Sequence, residues 1–154
     1  MSAAQTERLG VDLAVVLGPP GMAGHDASPL DLQLVAGTSD PSADGPRTLS
    51  GRENVAQALI LRLLTPMGAL APLGHAGYGS RLHELIGRHR DDASRALCKA
   101  YVLQAVADEP RVESTALEFG FDPASEGPSE LRFVISVQPV DGSGPISVGL
   151  QVGL

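Results

Sequence analysis

The chain has no tryptophan, one lysine (Lys99), one cysteine (Cys98), and aromatic residues at only 3% of its 154 positions. Each scarcity removes a class of function. A lone cysteine excludes an internal disulfide and any zinc site built from several thiolates. Eleven Lys and Arg stand against 18 Asp and Glu, a formal charge of −7. The clustered cations that nucleic-acid phosphates require are therefore missing, and with them a polybasic route to an anionic membrane. No run approaches the ~18 uninterrupted apolar residues of a membrane helix, which predicts a soluble protein. The opening MSAAQTERLG lacks the apolar stretch of a secretory leader, so assembly in the cytoplasm is expected. What is abundant is Gly (18) and Pro (12), beside 43% apolar residues. The length predicts one domain, or one domain with arms, around a lean aliphatic core.

Residues 1–44 read as an N-terminal arm or adaptor with short strands. VDLAVVL begins as an apolar strand and dissolves into Gly and Pro. Asp31 to Val35 alternates, placing Leu30, Leu32 and Leu34 on one face. Residues 45–154 read as the domain proper, helical over 50–109 and β over 112–154. Ser50-Gly51-Arg52-Glu53 has the form of a capping box. Behind it Val55, Ala56, Leu59, Ile60 and Leu63 recur at helical spacing, and Pro66 predicts an end at Thr65. Ser80 is placed to cap a short second helix presenting Leu82, Leu85 and Ile86. Asp91 and Asp92 open a third, with a seam of Ala93, Ala96, Leu97, Ala100, Tyr101, Leu103 and Ala107.

From Val112 the period switches to two. Leu117, Phe119 and Phe121 share a face, as do Leu131, Phe133, Ile135 and Val137. Ile146, Val148, Leu150, Val152 and Leu154 share another after the hairpin signal Asp141-Gly142-Ser143-Gly144. The fold class is α+β: short N-terminal strands, a three-helix segment, then a three-stranded antiparallel β meander. The last strand carries no charge from Pro145 onward, against the usual protection of sheet edges. Two readings stay open: a covered strand of its own sheet, or a strand offered to a partner by β-augmentation.

Catalytic, metal and cofactor sites find no support. His83-Glu84 lacks the second histidine of HExxH, since position 87 is Gly, and His89 lies well round the helix. The glycine-rich Gly74 to Ser80 lacks the lysine of a phosphate loop. Cys98 reads as a buried structural thiol. The more telling segment is Glu109-Pro110-Arg111, where a rigid turn sets an acid beside a guanidinium fork, either to anchor a partner or as a local ion pair.

Taken together, several segments resemble the gene-25-like (baseplate protein W) family. These are Glu53-Asn54 with Gln57-Ala58-Leu59, Arg62-Leu63 with Thr65-Pro66 and Gly68, Tyr78-Gly79-Ser80 with Leu82, and Glu109-Pro110-Arg111. The resemblance covers about residues 45–154, and the long LTPMGALAPLGHAGYGS form looks more like extracellular injection particles than phage members. It implies a structural part of the baseplate of a contractile phage-tail-like particle, with no enzyme activity and no cofactor. It also implies a docking turn at Glu109, Pro110 and Arg111 that engages the wedge. Strands bearing Leu131, Phe133, Ile135, Val137, Ile146, Val148, Leu150 and Val152 would exchange with the first sheath ring. Asn54, Gln57, Arg62, Thr65, Pro66, Tyr78 and Gly79 would be structural. Implied partners are the sheath protein, other wedge proteins, and spike, hub or inner-tube-proximal components. Phage members are sometimes labelled lysozymes, but no residues here support that activity. The alternatives are a generic β-augmentation module or homo-oligomer and, more remotely, a small hydrolase.

Overall fold

The computed structural model describes residues 9–15, 46 and 48–154, the side chains of Ser114, Thr115 and Ala116 excepted. The expected strand at Asp31 to Val35 lies outside the described residues. Among the described residues the architecture is α+β, with two α-helices and two antiparallel sheets. Strand β1 (Val11–Leu13) pairs with β2 (Thr48–Ser50), and helix α1 (Gly51–Leu64) follows directly. After a long loop and two short 3-10 turns comes α2 (Asp92–Ala107). The second sheet is β3 (Val112–Phe121), β4 (Glu130–Pro139) and β5 (Ile146–Gly153), in that spatial order.

Helix α1 forms as its aliphatic spacing predicts. Val55, Ala56, Leu59, Ile60 and Leu63 are all buried, and Thr65 leaves the helix in an extended conformation ahead of Pro66. Its start differs from expectation. Ser50 makes no side-chain capping bond, because it ends β2 and Gly51 turns the chain through a left-handed φ of 59°. The Gly51 amide then donates to Gly10 O at 3.3 Å, so β1 rather than a capping box closes this end.

The second of the three expected helices is only a 3-10 turn, Leu82–Leu85. The Ser80 hydroxyl donates to Leu63 O at 2.6 Å, which ties it to α1. With three residues per turn Leu82 and Leu85 eclipse and are buried, while Ile86 points away and is 71% exposed. Helix α2 is capped as expected, Asp91 Oδ1 accepting from the Ser94 amide at 2.7 Å. Its buried face, however, is Ser94, Cys98, Tyr101, Val102, Ala105 and Val106. The expected alanine seam is largely exposed, since alanine favours helices on either face and marks neither.

In the sheet the alternation holds. Leu131, Phe133, Ile135, Val137, Ile146, Val148 and Leu150 are buried and Val152 partly so, facing α1 and α2 in one continuous core. Phe133 stacks on Phe119 at 5.4 Å, and Phe119 meets Phe121 edge-on at 4.9 Å. The register between β3 and β4 slips between Glu113 and Glu118, where five steps along β3 match two along β4. The β4–β5 pairing is regular from Val137↔Ile146 to Glu130↔Gly153.

The β3–β4 loop is clamped by Glu126, whose carboxylate lies wholly inside. Both guanidinium nitrogens of Arg95 bind it, the Arg132 amide donates to it at 3.1 Å, and Arg90 lies 3.9 Å away. The Arg95 fork holds the Glu126 carboxyl below the usual carboxylate range, against the opposing effect of burial. A depressed folded pKa gives stability that is complete at neutral pH and lost as pH falls through the folded value. Glu126→Gln should cost about 1.5–3 kcal/mol at pH 7. The deficit should shrink as pH falls through the folded value, where the wild-type carboxyl protonates. Urea unfolding across that range checks both.

Candidate partner-docking site

The Glu-Pro-Arg turn joins α2 to β3, and its acid turns inward. Glu109 is only 3% exposed. Its carboxylate takes the Arg111 Nε–H at 2.6 Å and the Arg111 amide at 3.4 Å, with Arg62 of α1 at 3.7 Å. Arg111 Nη1 donates onward to Leu9 O at 3.3 Å. Pro110 is exposed and the Arg111 side chain about a quarter so. What faces outward is therefore a proline and one edge of a guanidinium, held in place by an acid that is itself hidden.

Arg62 continues the cluster. Its guanidinium carbon lies 4.6 Å from the Tyr78 ring centroid, and its Nε is buried without a partner. Burial pushes the Tyr78 hydroxyl pKa up, with Arg62 pulling it down. Tyr78 ends the long loop that Pro66 begins. The loop is stitched where Ser80 N donates to Thr65 O and Met67 N to Ser80 O, each at 2.8 Å. Gly79, between them, has φ 115°, and a Cβ there would meet Thr65 O at 2.5 Å. No side chain fits, which accounts for glycine at that position.

The remaining motif residues grip the N-terminal segment. Asn54 Nδ2 donates to Leu9 O at 2.9 Å. Gln57 Nε2 donates to Leu13 O at 2.7 Å and its Oε1 accepts from the Val15 amide at 2.8 Å. The structure thus brings Asn54, Gln57, Arg62, Thr65, Pro66, Tyr78, Gly79, Glu109 and Arg111 around α1 and its two flanking segments. The part played by Leu9, Leu13 and Val15 was not anticipated. Its one trace in sequence is a pair of amides three residues apart, amid the apolar positions of a helix.

The residues expected to exchange strands are not displayed, since their side chains build the core. What β5 offers is main chain. Leu154 N donates to Ser129 O at 2.8 Å. Antiparallel alternation then directs the main-chain groups of residues 146, 148, 150 and 152 to β4, and those of Ser147, Gly149, Gln151 and Gly153 outward. Among the described residues no strand pairs with that edge.

No protein-family model matches the sequence, and no curated protein does. Among solved structures, the fold is similar to one described as "putative tail lysozyme from Geobacter sulfurreducens". The TM-score is 0.57 at 19% identity, over 69% of this chain and 94% of that one. That likeness is one of fold.

Cys98 is fully buried and its thiol is pushed up to about 12 by burial, which leaves it unreactive. Among the described residues no group of three or more His, Cys, Asp or Glu is placed to hold a metal ion. None of their helices is long and apolar enough to cross a membrane. The buried polar cluster is the feature open to measurement. Glu109→Gln should cost about 3 kcal/mol, because it leaves two guanidinium groups without their counter-charge. Hydrogen exchange at the Val15 amide should quicken in the same variant as the grip on Leu9 loosens. Urea unfolding and exchange measured by NMR check the two effects.

Proposed function

We propose that this chain is a structural component of the baseplate of a contractile, phage-tail-like particle, as the gene-25-like resemblance implies. The observation that carries the reading is the meeting of a likeness of fold and a likeness of sequence segments in one domain. The fold is similar to that of a protein described as a putative tail lysozyme, and Arg62, Tyr78, Glu109 and Arg111, among the residues that resemble the family, meet in one buried ion cluster. In this reading Pro110 and Arg111 dock on the wedge, and Glu109 fixes the angle of the guanidinium. The outward main chain of β5 then receives a strand from the first sheath ring and seeds its polymerisation. Ladder bonds form between any chains, while alternating side chains select register. Sheath protein and other wedge proteins are the proposed partners, with spike, hub or inner-tube-proximal components further candidates, and assembly takes place in the cytoplasm.

The name of the structural neighbour raises a hydrolase as the other reading. A glycosidase acid requires a carboxyl held protonated, commonly by an apolar pocket. Among the described residues, the two carboxylates buried beside cations have the opposite surroundings: Glu126 is gripped by Arg95, and Glu109 sits between Arg62 and Arg111. That chemistry favours the structural role, and peptidoglycan turnover by the purified protein would overturn it.

Two substitutions test the structural role without removing core residues. Ser147→Pro deletes an outward-facing amide of β5 and leaves the β4 ladder intact. Baseplates carrying it should nucleate little sheath, and sheath of normal amount and length would sink the strand-template role. Arg111→Lys keeps a cation beside Glu109 but removes the guanidinium fork. Its incorporation into baseplates should fall by about tenfold, more than the loss of stability measured by urea unfolding of the same variant accounts for. Normal incorporation would take the docking role from that turn.

A further inference from the structure

The edge of β5 has a defined beginning. Pro145 stands one residue before the strand, and the alternation that turns Ser147 outward gives its carbonyl to the same outward row. That carbonyl is already engaged. The Arg52 guanidinium reaches it from the first turn of α1, Nη2 donating at 2.5 Å across 93 positions of sequence. Proline has no amide to donate, so at Pro145 the edge offers neither a donor nor an unengaged acceptor.

The loop ahead of the strand depends on this bond for its attachment to the helices. Ser143 binds Asp141 Oδ1 through its amide at 3.0 Å and its hydroxyl at 2.6 Å. Gly142 N donates to Pro139 O at 3.1 Å, and Gln138 Nε2 donates to Ser143 O. These bonds close the hairpin on itself. Val140 N adds one to Arg111 O, just ahead of β3, at 3.0 Å. Among the described residues, the Arg52 bond is the one that reaches residues 140–145 from the helices. Arg52 itself is exposed and takes no place in the core. Its neighbour Gly51 donates to Gly10 O, so the first turn of α1 holds main chain from two distant segments.

We propose that Arg52 sets the register of the strand that β5 accepts: it anchors Pro145 to α1 and confines pairing to the main chain from Ser147 onward. The inference rests on the strand-acceptor reading and adds to it a residue outside the sheet. A slip of one residue in a strand pair moves every side chain to the other face, so an accepting edge needs a fixed starting point. Side-chain charge in β5 cannot supply one, since no residue from Pro145 onward carries it. Without Arg52 the start of the strand frays and the Pro145 carbonyl becomes a further acceptor, so an incoming strand can bond out of step.

Arg52→Met, which keeps the stem and removes the donors, tests this beside Arg52→Lys, which keeps a cationic donor. On the purified chain, amide exchange followed by NMR should quicken about fivefold at Ile146 in Arg52→Met and stay as in wild type at Leu150. In assembled particles, Arg52→Met should enter baseplates as wild type does but nucleate about fivefold less sheath per incorporated copy, with Arg52→Lys recovering much of the loss. A residue that merely stabilised the fold would lower incorporation and leave sheath per incorporated copy unchanged. That outcome, or normal sheath from Arg52→Met, would overturn the inference. Ser147→Pro measured alongside separates the two failures. Normal sheath from both variants removes the strand-acceptor reading as well, whereas sheath lost only in Ser147→Pro leaves that reading standing without Arg52.

Discussion

A single buried carboxylate, that of Glu109, holds together parts of the chain that lie far apart in sequence. Taking a charge out of water costs several kcal/mol, and the cost is met only where counter-charges and donors converge. Here three groups from two residues supply them: the guanidinium and the amide of Arg111 two residues on, and the guanidinium of Arg62 at the end of α1. Each guanidinium then makes a second contact. Arg62 covers Tyr78 and so fixes the end of the long loop, while Arg111 reaches Leu9, 102 residues away. Loop, turn and N-terminal segment are thereby fixed relative to one another by one acid.

The two halves of the domain use different physics for what they bind. The sheet directs its alternate side chains inward and leaves main chain at its rim. Its two rims are unequal: β3 is interrupted by the slip between Glu113 and Glu118, while β5 runs in regular register with β4. An irregular edge resists further pairing and a regular one invites it. The helical half does the reverse, since α1 presents amide side chains that hold another segment's main chain. Both therefore deal in backbone: β5 leaves main chain along the rim of the sheet, and α1 holds that of residues 9–15.

How much of this was legible follows from the kind of signal each element carries. The strands and α1 were readable because bulky aliphatics such as Leu59, Ile60, Phe133 and Ile135 have one stable place, and their spacing names the period. The buried face of α2 was not, because alanine is at home in core and solvent alike. The capping box at Ser50 failed for a different reason. A local motif of four residues competed with pairing to β1, and Gly51 could adopt the left-handed turn that the pairing needs. Glu109 was singled out by its neighbours Pro110 and Arg111. Whether it faced a partner or the interior depended on Arg62, which sequence places 47 positions away with nothing to link the two.

The scarcity of aromatic side chains bears on assembly. Of five Phe and Tyr residues, only Phe133 and Tyr101 belong to the buried core, which otherwise rests on aliphatic contacts. Burial of that kind scales with area, and small domains bury a smaller fraction of their surface than large ones. A partner that binds only the folded form adds stability in proportion to the logarithm of its concentration over its dissociation constant. A strand supplied at the β5 edge, as proposed above, would act in this way, because it closes main-chain groups onto a lattice that exists only in the folded domain. A lean aliphatic core therefore leaves such a domain more to gain from a bound strand than a core rich in aromatic contacts would.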